Sequence, residues 1–283
     1  MKQTLDVSSN ERRTVQIDGI SVHLAHADEL PMRWIGQREL ILQLHACWHL
    51  VDERDIALSP RLIGKPGVGK TTLAYAAAKE LNKDVYIFQA TMDTRPEDLL
   101  ITPVVAENGK IQYVASSVVT AMIVGGIAIL DEGNRMSEKS WASLAPLLDT
   151  RRYVESIVAG IKVKAHRDFR IVATMNDDAS TFEIPEYIHS RLQPQIYLDF
   201  PELDEELAIL RENLPFVDDK ILSYVANFLS QCHLADEPYT VRDGINIARY
   251  VAKRLSYGPA DYRKLIHEAM VKVLGETALR YAD

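Results

Sequence analysis

The sequence predicts an α/β fold, a mostly parallel sheet lying between helices, followed by a small all-helical C-terminal domain. Three observations carry that expectation. A glycine-spaced turn, "GKPGVGKT" at 64–71, sits between a short apolar run and an alanine-rich helical stretch. Further short apolar runs then alternate with helical periods, the rhythm of parallel strands joined by crossover helices. From about Pro201 the strand-like runs stop, and helical stretches fill the remaining 80 or so residues, a span inside the usual domain range.

Taken in order, residues 1–30 form a leader in which "VQIDGISVHLA" (15–25) partly alternates like an edge strand. "GQRELILQLHACWHLV" (36–51) has a helical period, with Leu40, Leu44, Cys47 and Leu50 on its apolar side. "RLI" (61–63) is the strand before the glycine turn, and "TTLAYAAAKEL" (71–81) the helix after it, with Leu73, Ala76, Ala77 and Leu81 on one face. "VYIFQA" (85–90), "IAIL" (127–130) and "FRIVATM" (169–175) are the next strands. Ser137 is a candidate N-cap for a helix that puts Trp141, Leu144 and Leu148 on one side. Two hairpins interrupt the rhythm: 102–116, turning at Asn108-Gly109 in a type I′ turn, and 151–169, with Gly160 near its tip. The boundaries that follow are a leader (1–30), an α/β domain (31–200) and a helical lid domain (201–283).

Composition narrows the function classes. A net charge of −8 argues against non-specific nucleic-acid binding over the whole surface. Cys47 and Cys232, far apart in the chain, make no disulfide framework and suit a reducing cytosol, so the expected location is cytoplasmic. The polar start lacks a signal-peptide core, and "VVTAMIVGGIAIL" (118–130) is too short to span a bilayer. It reads as a buried helix-to-strand passage ending at Asp131-Glu132.

The glycine turn carries the chemistry. Gly64, four residues, then Gly69-Lys70-Thr71 is the spacing of a phosphate-binding loop. Backbone N–H groups of Gly64, Lys65, Pro66, Gly67, Val68 and Gly69 (Pro66 excepted, which has none) curl around an anion, and the following helix adds its N-terminal donors. Lys70 reaches the β- and γ-phosphates of ATP, Thr71 offers its hydroxyl to Mg²⁺, and Thr72 is the last of the ATP-binding residues at the helix start. Asp131, at the end of an apolar strand, is the second magnesium residue. Glu132 polarises the water that attacks the γ-phosphate. Asn176 ends another strand, where its amide can meet that water or the γ-phosphate. His45 and His49, one turn apart, lie on a helix whose other face is core, with no carboxylate nearby to complete a metal site. The stripe "KVKAHR" (162–167) reads equally well as a basic nucleic-acid contact and as a hairpin strand with Lys162 and Lys164 facing solvent.

Loop, "ILDE", "ATMN" and a helical C-terminal region in this order resemble an AAA+ ATPase. More narrowly, "LDEGNRMSEKSWASLAPLLDTRRYV" and "IPEYIHSRL" resemble the MoxR family of the helix-2-insert clade, over nearly the whole chain from Trp34-Ile35-Gly36-Gln37 onward. The resemblance implies that Arg191 is an arginine finger reaching a neighbouring subunit, that Asn176 is the first sensor and that Arg242 is the second. It places both hairpins at insertions facing a central pore. It also implies a homohexameric ring, a von Willebrand factor A-domain partner and a client complex that is activated or matured. The chain departs from the family at Lys65 (usually proline), Gly133 (usually isoleucine) and Leu192 (usually phenylalanine). An arginine supplied in trans is worth about 10³–10⁵ in phosphoryl-transfer rate. The leading function is thus a ring-forming, Mg-ATP-hydrolysing remodeller. The alternatives are a nucleic-acid remodeller and an ATP-controlled scaffold with little turnover.

Overall fold

The computed structural model describes residues 13–31, 33–106, 109–177, 183–258 and 261–282. They form two compact units. One is drawn from residues up to 32, 39–63 and 71–196, the other from 33–38, 64–70 and 197–283.

In the first unit, β1 (Thr14–Ile17) and β2 (Ile20–His23) form a hairpin across Asp18-Gly19, both at positive φ. Helix α1 (Arg38–Trp48) buries Ile41, Leu44, Cys47 and Trp48. This moves the expected stripe round by one position, since Leu40 and Leu50 are only half-buried. The strand β3 (Arg61–Gly64) leads into α2 (Lys70–Glu80). That helix buries Leu73, Ala74, Tyr75, Ala77 and Ala78, whereas Leu81 lies past its end and is exposed. Next come β4 (Val85–Gln89), the hairpin β5 (Ile101–Val105) and β6 (Ile111–Ala115), α3 (Ser117–Val124) and β7 (Ile127–Asp131). Ser137 caps α4 (Glu138–Leu144), its hydroxyl accepting from Ser140 N, and Trp141 and Leu144 are buried as the period requires. The hairpin β8 (Tyr153–Ser156) and β9 (Ile161–Lys164), the strand β10 (Arg170–Asn176), α5 (Glu186–His189) and β11 (Gln195–Leu198) complete the α/β part.

The main sheet runs β11-β3-β10-β7-β4, with β7 parallel to both β10 and β4. β7 is buried at every position from Ile127 to Leu130, which explains its unbroken apolar run. One apolar cluster joins β7 and β10 to α3, α4 and both hairpins. Fully burying a side chain such as Phe169 or Leu144 contributes roughly 1.5–3 kcal/mol.

The inserted hairpins do more than cover edges. β6 pairs in parallel with β2, so the leader and the first hairpin share one sheet, ordered β1-β2-β6-β5. Asn108 of the expected type I′ turn lies outside the described residues; Gly109 has φ 75. On β9, Lys162 and Lys164 face outward, and Lys162 lies 3.6 Å from the Glu155 carboxylate across the strand pair. The tip of this hairpin is apolar: Ile157 is 90% exposed and Val158 57%.

In the second unit, α6 (Leu203–Asn213), α7 (Asp219–Leu234), α8 (Val241–Leu255) and α9 (Tyr262–Leu274) pack around their own apolar cluster. A carboxyl group is buried among them. Glu206 is 0% exposed, and its Oε1 lies 3.6 Å from His233 Nδ1. His233 Nε2 is 2.7 Å from the Tyr239 carbonyl, which only accepts, so Nε2 carries the proton. In neutral His233 the Nδ1 lone pair then faces Glu206, and a protonated carboxyl is the complementary group. Burial acts in the same sense, raising the Glu206 carboxyl to about 8 and lowering the His233 imidazole.

This pair gives a signed pH dependence. Glu206 is raised from 4.5, so its contribution is fully present below the unfolded value and is lost as pH rises toward 8. His233 is lowered from 6.5, so its contribution is present above that value and is lost as pH falls. Urea unfolding at a series of pH values should show stability of this unit declining, by on the order of a few kcal/mol, toward pH 8. Glu206→Gln should remove most of that decline. An unchanged slope would assign it to another group.

Candidate functional site

The phosphate loop spans the end of β3 and the start of α2. Gly67 and Gly69 have φ 80 and 96, conformations that strain any other residue. A Cβ at Gly64 would lie 2.3 Å from the Leu198 carbonyl oxygen, and one at Gly69 would lie 3.1 Å from the Trp34 ring. The glycines are therefore required both by backbone conformation and by close packing. Lys70 is only 6% exposed, and its ammonium donates to the carbonyls of Gly64 at 2.9 Å and Lys65 at 2.8 Å. An ammonium wrapped by its own loop suits an anion cradle, because a phosphate oxygen can take the place of those carbonyls.

Next along α2, Thr71 begins the carboxylate cluster of the first unit. Its hydroxyl donates to Asp131 Oδ1 at 2.6 Å, and the Thr174 hydroxyl donates to the same oxygen at 2.5 Å. Thr174 also accepts from Glu132 N at 3.0 Å, so a single β10 hydroxyl touches both the last residue of β7 and the one that follows it. The donor set of hydroxyl and carboxylate oxygens, free of nitrogen and sulfur, fits a hard divalent cation such as Mg²⁺. Thr72 is half-buried, one position further along the helix.

Glu132 has φ 53, a left-handed conformation that costs of order 1–3 kcal/mol for a non-glycine residue. The turn swings its side chain away from the strand line. Its Oε1 accepts from Asn176 Nδ2 at 3.4 Å, and its Oε2 lies 2.6 Å from Arg135 Nε. Asn134 Nδ2 donates to Asn176 O at 2.7 Å, while Asn176 N donates to Asn134 Oδ1 at 3.3 Å. This two-way clamp locks the end of β10 beside β7. The structure thus brings Thr71, Asp131, Glu132 and Asn176 together. It adds Thr174, Asn134 and Arg135, whose roles spacing alone does not reveal. A hydroxyl inside an apolar strand, as in "VATMN", is the one sequence signal pointing to Thr174.

Arg191 lies elsewhere in the first unit. Its Nε donates to Asp149 Oδ2 at 3.2 Å, and its NH1 donates to the Tyr187 carbonyl at 2.5 Å. Asp149 is also gripped by Arg151, and these hydrogen bonds, Arg151's foremost, hold its carboxyl at about 2. In the second unit, Arg242 is an exposed residue in the first turn of α8, whose N-cap is Thr240. His45 Nε2 bonds the Ala77 carbonyl at 2.9 Å, tying α1 to α2.

Residues 61–192 match the family model of the AAA domain, dynein-related subfamily. Among curated proteins, the chain is similar to von Willebrand factor A domain-containing protein 8 of Mus musculus, 28% identical over 214 residues, 68% of this chain and 11% of that protein. It is also similar to uncharacterized protein YeaC of Bacillus subtilis, 30% identical over 173 residues, 57% of this chain and 52% of that one. The chain therefore spans only part of each relative. Among solved structures, RuvB of Thermotoga maritima, described as a Holliday junction branch migration motor, has a TM-score of 0.55 at 17% identity, covering 83% of this chain and 69% of that one. A mutant of the same protein has a TM-score of 0.58 at 17% identity, covering 86% and 72%. The likeness is one of fold: an AAA+ phosphate-loop core with a helical C-terminal region.

Proposed function

We propose that this chain, built on an AAA+ core, is a Mg-ATP-hydrolysing subunit of a ring that remodels a partner protein complex, in the manner of the MoxR family. The observation that carries the reading is the arrangement at the end of β7. Asp131 is fixed by two hydroxyls, and Glu132 is turned out in a left-handed conformation against Asn176. A carboxylate held that way, next to a second one made available to a water, divides metal binding from general-base work.

In this reading the phosphate loop and Lys70 bind the ATP phosphates, with Lys70 exchanging its loop carbonyls for phosphate oxygens. Thr71 and Asp131 would hold magnesium, which when bound neutralises phosphate charge. Glu132 accepts a proton from the attacking water, and Asn176 orients the Glu132 carboxylate. Release of Glu132 from Arg135 frees its second oxygen for that task. Arg191 and Arg242 take the finger and second-sensor roles from the family resemblance.

The mouse relative is named for a von Willebrand factor A domain, which supports a partner of that class. The apolar, exposed Ile157 and Val158 offer a contact surface for a client protein, at the tip of a hairpin whose strand β9 carries two exposed lysines. No described helix is long and apolar enough to cross a membrane, and a cytoplasmic location remains part of the proposal.

Steady-state phosphate release tests the reading. Purified protein with Mg-ATP should turn over at about 1 s⁻¹ or above under partner stimulation, with specific activity rising as subunits assemble. Stoichiometric ATP binding with no release at any protein concentration, with or without partner, would favour the scaffold alternative.

A further inference from the structure

We infer that Lys65 is a positioning residue for the phosphate loop, held through Asp236 and Phe200. The inference rests on the nucleotide-binding reading above and deepens it. Lys65 Nζ lies 2.5 Å from Asp236 Oδ1 and 4.8 Å from the centroid of the Phe200 ring. Phe200 is itself fixed, stacked on His233 with centroids 3.7 Å apart and planes within 5°. His233 is fixed in turn by the Tyr239 carbonyl, and the buried Glu206 carboxyl lies 3.6 Å from its Nδ1. All of these residues belong to the second compact unit, together with the phosphate loop.

The same residue that is clamped by its side chain holds Lys70 by its backbone, because the Lys65 carbonyl accepts from the Lys70 ammonium at 2.8 Å. Asp236, at φ 58, lies just past the end of α7 on the connection to α8. The other end of that connection touches the loop too: a Cβ on Gly67 would come within 2.8 Å of Thr240 Cβ. Thr240 caps α8, and Arg242 follows two residues later. The α7–α8 connection therefore brackets the phosphate loop at Lys65 and at Gly67, and leads directly into the helix bearing Arg242.

The clamp has a definite energetic role. When phosphate draws Lys70 away from the Lys65 carbonyl, the loop loses an internal hydrogen bond. With Lys65 still anchored outside the cradle, the loop keeps its bound shape and little ordering remains to be done on binding. An exposed ion pair by itself is weak and screened by salt. Here the ammonium also lies over an aromatic ring that is held by a half-buried stack.

Direct ATP-affinity measurements by calorimetry test this. Lys65→Met and Asp236→Asn should each weaken ATP binding by about 3- to 10-fold, and the double variant should be no worse than the weaker single. Lys65→Arg should retain most of the affinity, and exchanging the charges, Lys65→Asp with Asp236→Lys, should restore part of it. In Asp236→Asn the loss should appear in KM while kcat stays near wild type, a split that general destabilisation would not produce. Losses that multiply in the double variant, or variants that bind as wild type does, would overturn the inference and leave the function reading intact. A wild-type protein that fails to bind ATP removes both.

Discussion

Lys70→Ala should abolish ATP binding, whereas Glu132→Gln should keep ATP bound and stop its hydrolysis. The two side chains act at different points along the reaction. Lys70 is a buried cation wrapped by two carbonyls of its own loop, and in the proposed mechanism it meets phosphate in the ground state. Removing it takes away the charge that the glycine-built cradle leaves in place for an anion. In the proposed mechanism Glu132 meets only the reacting water, and an interaction made only on the way to the transition state appears in kcat rather than in affinity. The glutamine keeps the size of the side chain and an oxygen that can still accept from Asn176. It cannot take up a proton as the carboxylate does, and a loss on the order of 10²–10⁴ in turnover is the share of a general base. Calorimetric affinity and single-turnover hydrolysis measured on both variants decide the matter. Equal loss of affinity in the two would sink this division of labour.

Arg191→Ala should leave ATP binding near wild type and reduce hydrolysis by on the order of 10³-fold, the typical share of an arginine finger. Within its own chain Arg191 is engaged by Asp149 and the Tyr187 carbonyl, residues that orient a guanidinium without using all five of its donors. Asp149, shared with Arg151, serves as the anchor of this orientation. Mixing distinguishes a finger that works across subunits from one that completes its own site. A Glu132→Gln subunit cannot hydrolyse but still carries Arg191, and an Arg191→Ala subunit has an otherwise complete site. Co-assembled rings of the two should recover part of the wild-type rate. A mixture shown to co-assemble that stays as inactive as its components would place Arg191 in cis or require every site to fire together, and titration with wild-type subunits separates those two cases.

Much of this site is legible in the sequence because its determinants are local. The phosphate loop is a run of consecutive residues whose spacing is set by backbone conformation, so Gly64, Gly67, Gly69, Lys70 and Thr71 stand out as candidates from the sequence alone. The strands β7 and β10 are visible as apolar runs because they are buried almost throughout, and the polar residues at their C-terminal ends are the candidates Asp131, Glu132 and Asn176. Ser137 is legible for a similar reason, since a helix cap is a contact over three residues.

The sequence by itself determined the α/β class with its helical C-terminal region, and it singled out the candidate phosphate-loop and acidic residues, each from features written within a few residues of one another. Only the tertiary structure decided which side chains support them. Thr174 reaches Asp131 across two neighbouring strands, and Asn134 clamps Asn176 over 42 residues of sequence. The leader strand β2 joins the inserted hairpin through parallel pairing with β6. Lys65 finds Asp236 at a separation of 171 residues. None of these pairings leaves a periodic or spaced signature, because each depends on where separate segments meet rather than on the order in which they are written. Charge and hydrogen-bonding capacity are carried by the residue, but their partners are assigned by packing.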